Sequence, residues 1–172
     1  MQRKIYLLLF VSILAIAVLT LVFSSPVVDK LQEGSLSLTR SRPWFGNNDF
    51  TDNQVYYLGH DLVWDGMLNP TLEKIEVYSN SQPHSDDLIA VYIDTVGSLV
   101  LAPDPFPQDS EVVNLVTPVD HTMDDKRAKV VFKFDTGFWD ELGQMNRVDV
   151  TYKVLGKQKV QSIDIILFPE WH

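Results

Sequence analysis

The chain has no cysteine. That absence excludes disulfides, thiol catalysis, iron–sulfur ligation, thiolate copper sites and lipid attachment to an N-terminal cysteine. Basic residues are also scarce, with 14 Lys and Arg against 23 Asp and Glu and a formal charge of −9. All of the acids, and every base except Arg3 and Lys4, lie after position 25. Nucleic acid binding rests on neutralising phosphates with Lys and Arg, so no nucleic acid partner is expected. Several motifs are missing too. There is no G-x-S-x-G nucleophile elbow, no H-E-x-x-H zinc helix, no EF-hand spacing and no Gly-rich phosphate loop. Neither a long amphipathic helix nor an internal repeat is visible.

What the chain does have is an apolar run from Ile5 to Phe23, free of charge and preceded by Arg3 and Lys4. At about 1.5 Å per residue a helix of this length reaches roughly 28 Å, near the thickness of a bilayer core. The run reads as an uncleaved signal-anchor. The alternative is a cleaved secretory signal cut after Ser24, with Val22 three residues before the cut. Positive flanks stay cytoplasmic. The expected location is therefore the cell membrane, in a single pass, with a cytoplasmic N-terminus and an extracytoplasmic C-terminal domain. If the signal is cleaved, the protein is secreted. The expected division is a signal or anchor segment at 1–25, a stem at 26–42 and an ectodomain at 43–172.

Beyond the stem, short runs with strand composition are bounded by turn residues. They are Val55–Leu58, Leu62–Trp64, Leu72–Tyr78, Leu88–Asp94, Ser98–Ala102, Glu111–Thr117, Ala128–Phe134, Arg147–Leu155 and Val160–Phe168. Ser35–Thr39 alternates and starts a further strand. The last pair is the clearest. Val148, Val150, Tyr152 and Val154 alternate with polar residues, Gly156-Lys157 makes a turn, and Ile163, Ile165 and Leu167 give the returning strand an apolar face. Phe138 and Leu142 fall at i, i+4 in a short helical turn and cap the core. Eight or nine strands spaced about ten residues apart predict an all-β fold. The architecture expected is an antiparallel two-sheet sandwich, immunoglobulin-like in layout but without a Cys…Trp…Cys framework. A barrel is the alternative.

The stretch from about Leu72 to Phe168 carries a Leu-Glu-Lys-Ile-Glu-Val strand after the Asn69-Pro70 turn, then an acidic loop and an Ile-Ala-Val-Tyr strand. Val116-Thr117-Pro118-Val119 precedes a Lys-Val-Val-Phe-Lys-Phe strand, and a closing hairpin holds Tyr152 and Gly156. In these features the chain resembles small membrane-anchored or secreted bacterial β-sandwich proteins of unassigned function. The resemblance implies a fold and a location, not an activity.

Four kinds of chemistry are open to these residues. His121 and Met123 form a His-x-Met pair, with His60 and Met67 upstream, and a soft thioether suits copper(I). The closely phased His and Met set of exported copper carriers is absent. Asn47, Asn48, Asp49, Asp52 and Asn53 cluster in one loop and could offer oxygens to calcium, although Asp and Asn are also ordinary turn residues. His and carboxylate residues are too dispersed to mark a hydrolase. Trp44 and Phe45 sit in a polar loop near Arg42, and aromatic and Arg residues often anchor interfaces. No motif implies a cofactor. The expected function is a non-catalytic extracytoplasmic binding or structural module, tethered to the membrane through residues 5–23 and contacting an envelope protein or cell-wall component. The alternative is an envelope protein binding copper or calcium, with a hydrolase behind it.

Overall fold

The structure is a computed structural model that describes residues 10–17, 20, 26–40, 50–79, 82–84, 88–106 and 113–165. Two antiparallel sheets face each other across one apolar core. The first sheet holds β1 (Leu36–Arg40), β2 (Val55–Trp64), β9 (Arg127–Asp135), β5 (Ile89–Asp94) and β7 (Leu115–Val116), in that order. β6 (Leu101–Pro103) lies beside the first half of β2, and β1 lies beside the second half. The second sheet runs β11 (Lys157–Asp164), β10 (Met145–Val154) and β3 (Thr71–Ser79). Two stubs, β4 (Gln82–Pro83) and β8 (His121–Thr122), pair with opposite ends of β3. Helix α1 (Pro26–Gln32) precedes β1, and a single turn, α2 (Trp139–Leu142), follows β9.

Alternation builds the core. Along β9, Val130, Phe132 and Phe134 point inward and are nearly fully buried. Val148, Val150, Tyr152 and Val154 do the same along β10. Phe50, Tyr56, Phe134 and Trp139 close one end with edge-on and tilted ring contacts. In α2 the buried residue is Leu142, while Phe138 stays exposed and Trp139 takes the expected capping place.

β2 differs from the pattern in the sequence. Gly59, His60 and Asp61 interrupt two apolar runs, yet one ten-residue strand passes through them. The connection after β5 explains the glycine. It crosses the outer face of the first sheet, where Leu99 packs with Tyr57 and Val131. A Cβ on Gly59 would lie 2.0 Å from the Leu99 carbonyl oxygen. Of the run Glu111–Thr117, strand β7 takes Leu115–Val116; Pro118, which has no N–H with which to continue a ladder, limits its far end, and Glu111 and Val112 lie outside the described residues. The final turn uses Leu155 and Gly156, at φ 50° and 76°, rather than Gly156 and Lys157. Positive φ at both positions matches the twist of a tight hairpin.

The N-terminal expectation is corrected. Among the described residues, no helix is long and apolar enough to cross a membrane. A span takes about 20 residues, and the longest described stretch of the apolar run is residues 10–17. These residues are helical, with Phe10, Val11, Ile13, Leu14 and Ile16 exposed. Most of the remainder of Ile5–Phe23 lies outside the described residues. The fold therefore gives no support to the transmembrane or signal helix, the membrane tether, the membrane partner or the single-pass topology. Within the expected stem, residues 26–40 form α1 and β1 and join the sandwich.

Candidate functional site

Strand register brings three charged residues into one row across the first sheet. Asp61 of β2 and Asp94 of β5 both lie opposite Lys129 of β9. All three are on the outward side, because Val130, Phe132 and Phe134 occupy the inward phase of β9. The row forms the floor of a cleft of about 410 Å³. Thr95, Gly97, His121, Asp124 and Arg127 also line it. This volume falls within the roughly 300–1,000 Å³ of small-molecule sites.

The floor is internally bonded. Lys129 Nζ sits 2.7 Å from an Asp61 carboxylate oxygen, and the lysine side chain is only 10% exposed. Asp94 is buried, and its two oxygens accept the Val96 and Leu99 N–H groups, each at 3.0 Å. The carboxylate thus ties down the connection that crosses the sheet. The rim is different. Arg127 and Asp124 are exposed and have no side-chain partner among the described residues. His121 is half-buried beside them. A turn at Asp124–Lys126 holds the rim, with Asp125 at φ 50° and Lys126 at φ 62°. The Thr95 hydroxyl donates to the Asn114 carbonyl at 3.3 Å.

The metal reading is corrected here. Among the described residues, no group of three or more His, Asp or Glu could hold a metal ion. His121 and Met123 are separated by their neighbours. Met123 is fully buried in the core, and its N–H bonds the Pro70 carbonyl at 3.0 Å, while His121 faces the cleft. His60 is buried edge-on against Phe132 at 5.6 Å, and Met67 is 68% exposed. Asp52 is exposed in a turn. Asp49, and the partner-binding candidates Trp44, Phe45 and Arg42, lie outside the described residues.

Reading the sequence missed the row at Asp61, Asp94 and Lys129. Its only local signal is a charged residue within or beside each of three largely apolar runs. Nothing in the sequence says that the three positions share a register. Comparison with protein-family models, curated proteins and solved structures gives no match to this chain.

Proposed function

We propose that the chain is a non-catalytic binding domain whose cleft takes a small polar ligand carrying both a cationic and an anionic group. The resemblance to immunoglobulin-like bacterial sandwich modules belongs to this reading. The observation that carries it is the division of labour in the cleft. The floor charges are already used in holding the fold, while Arg127 and Asp124 on the rim keep their bonding capacity. A guanidinium offers a planar fork for a carboxylate, and an aspartate accepts from an ammonium. The absence of catalysis rests on the same facts. Cysteine is lacking, and among the described residues no serine lines the cleft. The Asp61 and Asp94 carboxylates are held by Lys129 and by backbone N–H groups.

The test is ligand-detected NMR on the full chain with a panel of free amino acids and dipeptides. Binding tighter than about 1 mM, lost in both Arg127→Ala and Asp124→Asn, supports the reading. If no member binds at that level, or if binding survives both substitutions, the cleft is not the site.

A further inference from the structure

Besides His121, the titratable side chains that line the cleft are Asp61, Asp94, Asp124, Arg127 and Lys129. The floor members are committed. Lys129 holds Asp61 at 2.7 Å, and Asp94 accepts from two backbone N–H groups. The Thr95 hydroxyl is engaged as well. It donates to the Asn114 carbonyl and accepts from the Asn114 carboxamide at 2.9 Å. What is left is one carboxylate and one guanidinium, Asp124 and Arg127. Both are exposed and bonded to no side chain among the described residues.

These two residues are the ends of a single tight turn. The Arg127 N–H donates to the Asp124 carbonyl, and Asp125 and Lys126 between them both have left-handed backbone, at φ 50° and 62°. Positive φ at both central positions marks a type I′ turn, whose end residues stand with their Cα atoms within about 7 Å. Both ends are anchored. Arg127 opens β9, which continues to Lys129 on the cleft floor. Asp124 follows Met123, which is buried in the core and bonded to the Pro70 carbonyl. The central residues do not line the cleft, and Lys126 lies close enough to Asp65 to act on its charge. An aspartate tolerates left-handed backbone because its short side chain bonds locally. At the next position glycine is favoured, and this chain has a lysine. The turn is thus held against local preference, and its effect is to set Asp124 beside Arg127 on the cleft rim.

Resting on the reading of the cleft as a site for a ligand with both charges, we propose that this ligand is a free α-amino acid, with its carboxylate on Arg127 and its ammonium on Asp124. Both charged contacts come from the two ends of one turn, so the charges of the ligand must themselves lie close together. In an α-amino acid one carbon carries both groups. In a dipeptide or an ω-amino acid they stand several bonds apart, and one of them would fall over the floor, where Asp61, Asp94 and Lys129 are already bonded. Lys126 acts in this as a positioning residue, through the turn and not by contact.

The test is a series of increasing charge separation, titrated into the full chain and followed by NMR: α-alanine, β-alanine, γ-aminobutyrate, ε-aminocaproate and the dipeptide alanylalanine. α-Alanine should bind most tightly, and ε-aminocaproate and the dipeptide should bind about tenfold more weakly. Lys126→Val introduces a β-branched residue that resists left-handed backbone and should weaken α-alanine by a similar factor. Lys126→Gly takes the same φ without strain and should restore binding. Amide spectra check that both variants are folded; if Lys126→Val is not, the ligand series on the unsubstituted chain decides alone. Longer members that bind as tightly as α-alanine would overturn the proposal and leave the cleft a site for zwitterions, and so would equal binding by folded Lys126→Val and Lys126→Gly. If no member binds, the reading of the cleft and this proposal fall together.

Discussion

The two long sides of the sandwich are closed in different ways. On one side β1 and β11 belong to different sheets, and a side chain joins them. The Gln161 carboxamide accepts the Leu36 N–H at 2.8 Å and donates to the Leu36 carbonyl at 2.7 Å. It satisfies the backbone as a neighbouring strand would. Lys159 donates to the Gln32 carbonyl just before β1, and the Ser35 hydroxyl donates to Asp65 at 2.8 Å. On the other side no equivalent clasp is seen among the described residues. The short strands β4, β7 and β8 cover parts of β3 and β5, and Pro83 and Pro118 limit two of them. The comparison separates two ways of handling a sheet edge. One satisfies the edge from within the chain, and the other leaves part of it available.

Truncating a core side chain on each side sharpens this most. Leu36 is 3% exposed, so Leu36→Ala should cost about 2–5 kcal/mol in chemical denaturation. Val91→Ala, at a half-buried position on the open side, should cost clearly less. Equal losses would break the comparison. Next comes the clasp itself. Gln161→Ala leaves the Leu36 N–H and carbonyl without their partner and should cost about 1–3 kcal/mol. Ser162→Ala, beside it and exposed, should stay within about 0.5 kcal/mol. A neutral Gln161→Ala would mean that water replaces the clasp.

Hydrogen exchange gives a smaller, more local contrast. The Leu36 amide should exchange slowly, and its protection should fall in Gln161→Ala. Edge-facing amides of Ile89–Tyr92 should exchange faster than their β9-facing neighbours. Uniform protection along β5 would count against an open edge.

The smallest expected effect is in pH. Burial lowers the pKa of His84 from its ordinary 6.5, against an opposing pull from Glu141. A depressed pKa contributes stability above the unfolded value, and that contribution is lost as the pH falls through the folded one. The Ser35 N–H, with help from its hydroxyl, lowers Asp65 from 3.8 in the same sense. Acidification should therefore loosen the His84 side first, below about pH 6.5, and the Asp65 corner only below about pH 3.8. Melting at pH 7.5 and 5.5 checks the first step. The difference should shrink in His84→Gln, and an unchanged difference would remove His84 from the account.

Much of the architecture is legible in the residues. Alternation at Val148, Val150, Tyr152 and Val154 identifies β10 and its buried face. Legibility fails where a distant contact overrides a local pattern. Gly59-His60-Asp61 reads as a break, because the Leu99 backbone that makes room for only a glycine is far along the chain. The cleft is hidden for a related reason. Asp61, Asp94 and Lys129 meet through register, which periodicity does not supply. His121 and Met123 look like a pair because residues two apart share a strand face, but β8 ends at Thr122, so Met123 turns into the core while His121 lines the cleft.

The clasp between Leu36 and Gln161 joins positions 125 residues apart. Closing a loop of that size carries an entropic cost before any contact rewards it. Neither residue can find the other until β2 has placed β1 and β10 has placed β11. The flank that holds the finished sandwich most firmly is therefore expected to be the last to form, and Gln161→Ala should speed unfolding while leaving the folding rate nearly unchanged.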